Sequence, residues 1–488
     1  MPRPLALYQI DTRDWLWRCG HERGRPCALD QIPDEHLDRI AALGFDLVYL
    51  LGIWQTGPAG AAVSRNVAEW QAGFHAALPD MTPDDITGSP FAVSAYRVHE
   101  EFGGSYAFES LRDRLRQRGL GIILDFVPNH TAMDHYWVQE HPDYYLSGSA
   151  QQAADQPGVF AKIDVRGETH FLAHGKDPYF PAWPDTLQLN YANPDAHEAM
   201  VSELTRIAAL CDGVRCDMSM LVLPEVFQKT WGLAMQPFWP AAVAACREVN
   251  PDFLLLAEVY WGLEGTLLSQ GFDYAYDKSL YDRLVSRRAA DVRQHLSAPV
   301  SYQSKTARFL ENHDEARAAA TLPREAHPAA AAITYLAPGM RFFQHGQLEG
   351  ARVRPSVHLR RRAVEAPDAE LAEFYDQLLS VMRSGAIDLD WRWIWPTAAW
   401  EVNDTFCDFV CFAWYSVQRP YLLVAVNYSD HQGQCYVPMR FGGLAGKTVR
   451  LVDLLGDDVY ERRGDDLFSR GLYLDVPAWK VHAFRITF

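Results

Sequence analysis

Residues 213–217, Gly-Val-Arg-Cys-Asp, carry the side-chain types that nucleophilic attack on carbon requires. A helical pattern precedes them, and an Asp-Gly turn signal leads into a short predicted strand. Because side chains alternate along a strand, Arg215 and Asp217 should project from the same face. A neighbouring guanidinium favours the ionised form of a carboxylate, and an ionised aspartate can attack an electrophilic centre. An isolated Arg-x-Asp pair is more often structural, so its surroundings decide the interpretation.

Three further predicted strands also end in polar residues where an apolar pattern would otherwise continue. The segments that follow them are Asp-Phe-Val-Pro-Asn-His at 125–130, Glu-Val-Tyr at 258–260 and Glu-Asn-His-Asp at 311–314. In a closed parallel barrel the carboxyl ends of all strands meet at one mouth, where loops bring distant residues together. The pattern therefore predicts that three carboxylates (Asp217, Glu258 and Asp314), two histidines and Arg215 converge there.

Eight short apolar runs alternate with helical patterns along the first 384 residues. The runs lie at 5–10, 45–51, 120–127, 213–216, 253–257, 272–275, 306–310 and 339–344. This alternation is typical of an α/β fold, and eight units are what a (β/α)8 TIM barrel needs. We predict that the barrel comprises residues 1–130 and 191–384. The stretch 52–104 is rich in Gly, Pro, Ser and Trp and is predicted to be a long irregular loop with a functional role.

Two segments do not follow the barrel pattern. Residues 131–190 are rich in aromatic residues, Gly and Pro, and are predicted to form a small domain inserted after the third strand. Residues 385–488 contain strand-like runs separated by Gly and Asp turns, which predicts a C-terminal antiparallel β-sandwich.

Composition excludes several classes of partner. The chain has 488 residues, 48% of them hydrophobic, and a formal net charge of −17, which argues against nucleic acids and anionic membrane surfaces as partners. No apolar run approaches the length of a membrane span, and the run 5–10 is too short for a signal-peptide core. The eight cysteines form no Cys-x-x-Cys pair and are expected to be free thiols in the cytoplasm. The oligomeric state stays open.

The four polar segments, in this order and on these strands, resemble the four signature regions of the α-amylase superfamily, glycoside hydrolase family 13. Further stretches at 183–190, 271–277, 338–339 and 345–347 also resemble the family. The resemblance implies a barrel, an inserted domain and a C-terminal β-sandwich, and so covers nearly the whole chain. It implies an oligosaccharide or α-glucan as the substrate.

The resemblance also assigns roles residue by residue. Asp217 matches the nucleophile, Glu258 the general acid/base and Asp314 the third carboxylate. The residues expected to bind the substrate or to orient the nucleophile are Phe91, Asp125, His130, Arg215, Tyr260 and His313. For Asp125, which ends a buried strand, a structural role is the stronger interpretation.

The chemistry explains why these residue types are needed. Retaining cleavage of a glycoside uses two carboxyl groups about 5–5.5 Å apart, one to attack the anomeric carbon and one to protonate the leaving oxygen. Their pKa values must differ, so that one is ionised while the other holds its proton. Leucines and an alanine precede Glu258, and these apolar surroundings should raise its pKa.

Four features depart from the family pattern or leave it open. Phe91 replaces the tyrosine that usually stacks under the sugar, and Ala95 replaces a usual Asp. The long stretch 52–104, which includes Trp54 and Trp70, could narrow the entrance and favour short substrates. Asn129 matches a position that ligates calcium in many relatives, but partners for it are not identifiable. No cofactor or metal site is therefore assigned, and Ca²⁺ near Asn129 stays an open alternative.

The sequence predicts a retaining α-glycosidase acting on α-glucosidic bonds through a covalent glycosyl-enzyme intermediate. An α-glucosyl-transferring enzyme of the same superfamily is the alternative, because loops that the sequence does not describe decide between water and a sugar acceptor. A non-catalytic sugar-binding or partner protein is a more remote alternative. It is disfavoured because all three carboxylates are present.

Overall fold

The computed structural model describes residues 3–385, 387, 389–416 and 419–488. Eight parallel strands close into a barrel, in which each strand is hydrogen-bonded to the barrel strands before and after it along the chain, and the eighth to the first. They are β1 (Ala6–Asp11), β2 (Leu47–Leu51), β3 (Gly121–Phe126), β4 (Gly213–Cys216), β5 (Leu254–Ala257), β6 (Tyr274–Tyr276), β7 (Thr306–Arg308) and β8 (Met340–Gln344). The predicted (β/α)8 barrel is confirmed. Both ends of every strand lie within three residues of the ends of its predicted run.

The alternation of side chains along the strands fills both sides of the barrel wall. Inward-facing residues form a compact aromatic and aliphatic core in the lumen, which includes Tyr49, Tyr276, Phe309 and Phe342. Outward-facing residues pack under the surrounding helices in a much larger core. Strands buried on both faces read as continuous apolar runs, which is why the sequence identified them.

Helices surround the barrel and connect its strands. Apart from two helices in the stretch 52–104, those in the barrel segments are Thr12–Arg23, Asp34–Leu43, Gly104–Arg116, Pro194–Ala208, Pro224–Trp231, Trp239–Val249, Glu264–Ser269, Lys278–Val285, Ala289–Leu296, Val300–Gln303, Ala318–Thr321, Ala326–Leu336 and Ala369–Arg383. The first helix starts directly after β1, where the Asp11 side chain accepts hydrogen bonds from the backbone N–H groups of Arg13 and Asp14. Such a cap satisfies amides that have no partner inside the helix.

The stretch 52–104 is not the irregular loop that the sequence predicted. It contains the helices Pro58–Asn66 and Ala68–Ala77 and a two-stranded antiparallel sheet formed by Trp54–Thr56 and Val93–Val98. Trp54 does not narrow an entrance, because its ring is 1% exposed and its indole N–H donates to the Asp125 carbonyl oxygen. Trp70 packs against Phe74 and His358.

Between β3 and β4 the chain forms two small antiparallel sheets. Strands His130–Ala132 and Thr186–Gln188 form one, and Ser147–Gly148, Glu168–Ala173 and Phe160–Val165 form the other. Two short helices, Trp137–Glu140 and Ala150–Asp155, accompany them. These elements lie in the segment 131–190, which we continue to propose as an inserted domain.

The C-terminal part contains a six-stranded antiparallel sheet and a two-stranded sheet, as the sequence predicted for this region. Strands Asp390–Ile394, Phe409–Ser416, Arg419–Asn427, Val481–Thr487, Thr448–Asp453 and Val459–Arg463 form the first, and Gly433–Val437 and Leu472–Val476 the second. One short helix, Gly464–Ser469, was not predicted. The boundary at residue 385 remains a proposal.

All eight cysteines are free thiols, and seven of them are buried. Across the described ranges, no helix combines the length and the apolar character that crossing a membrane would require.

Candidate active site

Arg215 forms the centre of the barrel mouth. It is the third residue of β4, its side chain is fully buried, and it points into the lumen. One terminal nitrogen, Nη1, donates to Asp217 Oδ1 at 2.6 Å, which confirms that the two side chains share a face. The other, Nη2, lies 2.7 Å from Glu258 Oε2 and 3.9 Å from Asp314 Oδ2. A single guanidinium therefore contacts all three predicted carboxylates.

Asp217 is placed by the end of β4. Its backbone N–H donates to the carbonyl oxygen of Phe126 on β3, which continues the ladder by one residue. Met218 then turns the chain with φ 40°, a left-handed conformation that is unfavourable for a side chain of this size. The turn aims the Met218 N–H at Glu258 Oε2, at 2.7 Å. The strained residue thus connects the two predicted catalytic carboxylates through the backbone.

Glu258 lies directly beyond β5 and is 3% exposed. Its Oε1 accepts a hydrogen bond from the Tyr260 hydroxyl at 2.9 Å. Burial raises the pKa of Glu258 to about 7, and the charges of Asp217 and Asp314 add to this effect while Arg215 opposes it. The sequence predicted an upward shift caused by apolar surroundings. At neutral pH this group can hold a proton and release it, as a general acid/base must.

Asp314 lies beyond β7 and is the most accessible of the three carboxylates, with its side chain 46% exposed. His313 Nε2 lies 3.0 Å from Asp314 Oδ2, and Gln9 Nε2 lies 3.0 Å from His313 Nδ1. The partial loss of hydration at the mouth acts against ionisation of this carboxyl, but His313 and then Arg215 lower the pKa of Asp314 below its ordinary value. An ionised carboxylate at the open side of the mouth can accept hydrogen bonds from sugar hydroxyls.

Aromatic rings line the rest of the mouth. The ring of Phe91 lies 5.2 Å from the Arg215 guanidinium carbon and 5.3 Å from the His313 ring. His130 is buried against Trp183, with 5.2 Å between ring centroids. Burial lowers the pKa of His130, with Asp217 opposing, so its imidazole is neutral at pH 7.

Asp125 supports the walls of the mouth. Its Oδ1 accepts a hydrogen bond from the Tyr49 hydroxyl, and its Oδ2 accepts one from the Gly52 N–H at 2.7 Å. Burial raises the pKa of Asp125, while Arg215 opposes the shift. Because both oxygens are used within the protein, the contacts favour the structural role, and substrate contact by Asp125 stays a prediction.

Sequence reasoning did not identify three parts of the site. Gln9 breaks the apolar pattern of β1, and that signal could have revealed it. Arg354 donates to the Asp314 carbonyl oxygen at 2.7 Å from a distant loop, which no local pattern indicates. The conformation of Met218 has no sequence signal either, because methionine is not typical of a left-handed turn.

The surroundings of Asn129 do not fit a calcium ion. Asn129 Oδ1, the Asn129 carbonyl oxygen and the Leu189 carbonyl oxygen all accept from Gln188 Nε2, at 3.0, 2.9 and 3.1 Å. These oxygens face an amide N–H group, whereas calcium requires several oxygen ligands, usually with carboxylates among them. In the described part of the chain, the one group of three acidic or histidine side chains close enough to share an ion is Asp453, Asp458 and His482, in the C-terminal sheet.

A family model described as "Alpha amylase, catalytic domain" matches residues 33–267. Alpha-amylase MalA of Haloarcula japonica is 24% identical over 360 residues, which cover 72% of this chain and 44% of that protein. Trehalose synthase/amylase TreS of Mycolicibacterium smegmatis is 29% identical over 255 residues, 45% of this chain and 41% of that protein. The chain thus spans less than half the length of these curated relatives.

Solved structures agree on the fold over the full length of the chain. The crystal structure of an alpha-amylase from Lactobacillus plantarum superposes with a TM-score of 0.67 at 20% identity and covers 99% of both chains. A maltogenic alpha-amylase AmyB from Thermotoga neapolitana gives a TM-score of 0.69 at 17% identity, again over 99% of both chains. At such identities the likeness concerns the architecture alone.

Proposed function

Because this chain belongs to the α-amylase superfamily, whose enzymes act on α-glucans, we propose that it is a retaining α-glycosidase that cleaves α-glucosidic bonds. The observation that carries this proposal is the sharing of one guanidinium by Asp217 and Glu258, together with the raised pKa of Glu258. Retaining cleavage needs one ionised and one protonated carboxyl on the same sugar.

Each residue has a defined task in this mechanism. The sugar stacks on Phe91, and its hydroxyls bind to the ionised Asp314 and to His313. Asp217 Oδ attacks the anomeric carbon while Glu258 gives its proton to the leaving oxygen, so that the glycosidic bond breaks as the bond to Asp217 forms. Glu258, now ionised, takes a proton from water, and the resulting attack on the anomeric carbon releases the sugar and restores Asp217.

The ion pairs of Arg215 support both steps. Before reaction the guanidinium stabilises the ionised Asp217, and after proton transfer it stabilises the new charge on Glu258. Tyr260 and the Met218 N–H donate to the same carboxyl group, so they also favour its ionised form. Preorganised donors of this kind need no rearrangement when charge develops.

A transfer of the glycosyl group to a second sugar is the alternative function. A cavity of about 540 Å³ adjoins the acid/base and is lined by Tyr260, Met218, Trp261 and Phe180. Its exposed aromatic rings could hold a sugar acceptor in place of water. The names of relatives in this superfamily include both activities, so the alternative stays open.

A panel of maltose, maltooligosaccharides, isomaltose, trehalose and sucrose tests the proposal, with released sugar measured in the presence and absence of added maltose. The proposal expects glucose or short oligosaccharides as the main products from at least one α-glucoside. Products longer than the substrate would favour the transferase. Failure to process any member of the panel would contradict both.

A further inference from the structure

A second cavity lies outside the candidate active site. It has a volume of about 850 Å³ and forms between the first helix, Thr12–Arg23, and the segments at 55–65, 87, 99–102 and 360. None of the predicted catalytic or substrate-binding residues lines it. Its volume suits a small molecule, because ligand pockets typically enclose about 300–1,000 Å³.

The charge of this cavity is opposite to that of the protein. Four arginines line it, Arg13, Arg25, Arg65 and Arg360, whereas Glu101 is the single carboxylate among the described residues of its wall. The protein as a whole carries a formal charge of −17. A local excess of arginines on so acidic a surface creates a field that attracts anions over the range of the Debye length.

Arg13 forms the floor of the cavity and is 7% exposed. Its guanidinium donates to neutral acceptors, namely Thr56 Oγ1, Thr87 Oγ1 and the Gly88 carbonyl oxygen, at 2.6–3.1 Å. Burial lowers the pKa of Arg13 to about 10, and Arg360 adds to this shift while Asp11 and Glu101 oppose it. The positive charge here is thus only partly compensated within the protein.

The remaining arginines are available at the rim. Arg25 and Arg65 are exposed, and Arg65 uses one nitrogen to donate to the Ile86 carbonyl oxygen. Arg360 lies 3.8 Å from Glu101, at the outer limit of an ion pair. Planar guanidinium groups bind phosphate oxygens in pairs, which makes clustered arginines suited to phosphate esters. Apolar wall residues, among them Pro26 and Phe102, leave space for the rest of such a ligand.

We propose that this cavity binds the phosphate monoester of a mono- or disaccharide, at a site separate from the catalytic mouth. The phosphate part of the assignment depends on the arginines alone, while the sugar part rests on the proposed function. Arg13 also links the cavity to the mouth, because it holds Gly88, three residues before Phe91.

Calorimetric titration of the full chain tests the proposal, with glucose 1-phosphate, glucose 6-phosphate, inorganic phosphate and glucose as probes. At least one sugar phosphate should bind with saturable heat, and glucose should bind at least about tenfold more weakly, because it lacks the charged group. The double variant Arg25→Gln/Arg65→Gln and the variant Arg360→Gln should each weaken sugar-phosphate binding at least about tenfold.

Arg440→Gln removes an exposed arginine of the C-terminal part and should leave binding unchanged. Thermal unfolding of each variant checks that it is folded. Because Arg25 and Arg65 are exposed, their replacement should not disturb the fold. Sugar-phosphate binding that survives the arginine replacements would overturn the proposal, as would the absence of binding by every phosphorylated probe. Equal affinity for inorganic phosphate and the sugar phosphates would contradict a sugar-sized ligand. A negative result here leaves hydrolysis in the substrate panel unaffected, so the two proposals fail separately.

Discussion

Arg215 and Arg308 are both buried in the barrel wall and both contact carboxylates, yet their surroundings differ in charge balance. Arg215 on β4 faces the lumen and is shared by Asp217, Glu258 and Asp314. Arg308 on β7 faces outwards and pairs with Asp277, which also binds His295 at 2.8 Å. The Arg215 group thus has three carboxylates around one guanidinium. The Arg308 group has one carboxylate, that of Asp277, between a guanidinium and the His295 imidazole.

The pKa values follow from this difference. Burial acts to raise the pKa of Asp277, but His295 and Arg308 outweigh it and lower the pKa to about 2. Glu258 has its pKa raised to about 7, although it contacts an arginine as closely. An acid whose charge is fully compensated stabilises the fold, whereas an acid in a group with excess negative charge can hold a proton for chemistry. The first three predictions below test this contrast.

The largest effect is expected on turnover. Asp217→Asn and Glu258→Gln should each lower kcat/KM at least about a thousandfold on the best substrate of the panel, because each removes a group that reacts with the substrate. Asp252→Asn, an exposed aspartate before β5, is the matched control and should retain activity. Steady-state kinetics on the purified variants measure the effect. Near-normal rates in either mouth variant would disprove the assigned role.

The second effect is expected on stability. Asp277→Asn leaves the buried Arg308 without its carboxylate and should lower the free energy of unfolding by about 3–5 kcal/mol. Asp282→Asn, which removes an exposed ion pair with Lys278, is the control and should cost less than about 1 kcal/mol. Glu258→Gln should not destabilise the protein at pH 8, because the ionised Glu258 is unfavourable in the folded state. Denaturant unfolding measures the free energy of unfolding of the three variants. Equal losses for Asp277→Asn and Glu258→Gln would contradict the difference proposed between the Arg308 and Arg215 groups.

The third effect is on pH dependence. Glu258 should make the activity depend on pH near neutrality, whereas Asp277 should make the stability depend on pH in the acidic range. Glu258 must be protonated to act as the acid, so kcat/KM should fall as the pH rises above about 7. Asp277 has a folded-state pKa below its unfolded value. Its stabilisation is therefore fully present above about pH 4 and is lost as the pH falls towards 2. A pH–rate profile that stays flat from pH 6 to 9 would contradict the raised pKa of Glu258.

The smallest effect is expected from removal of calcium. Gln188 donates to the oxygens around Asn129 in place of a cation, so a chelator should change neither the activity nor the thermal unfolding of the protein. Gln188→Glu places a carboxylate among the same oxygens. This variant should be less stable than the wild type with chelator and gain thermal stability from added Ca²⁺. If a chelator lowers the midpoint temperature of unfolding of the wild type, the Gln188 amide does not replace an ion.

The barrel strands could be predicted because a strand that is buried on both faces consists of an uninterrupted run of apolar residues. The convergence of Arg215, Asp217 and Glu258 could also be predicted, because the ends of parallel strands share one mouth. The helices Pro58–Asn66 and Ala68–Ala77 were missed, since glycine, proline and serine around them indicated loop structure. Their conformation depends on tertiary packing, for example of Phe74 in a buried cluster that includes the distant Leu359.

Features that depend on long-range contacts gave no local signal. The left-handed Met218 is held by its hydrogen bond to Glu258, 40 residues further along the chain. The Gln188 amide matches its acceptors only once the strand Thr186–Gln188 pairs with His130–Ala132.

The most direct test of the Arg215-centred mechanism is to trap its intermediate. In Glu258→Gln the acid is missing, but α-glucosyl fluoride has a leaving group that needs little protonation, so Asp217 can still attack and displace fluoride. Hydrolysis of the adduct should be slow without the base. Intact mass spectrometry followed by peptide mapping should find one added glucosyl group, bound to Asp217. A protein that stays unmodified, or that carries the sugar on another residue, would contradict the assignment of Asp217 as the nucleophile.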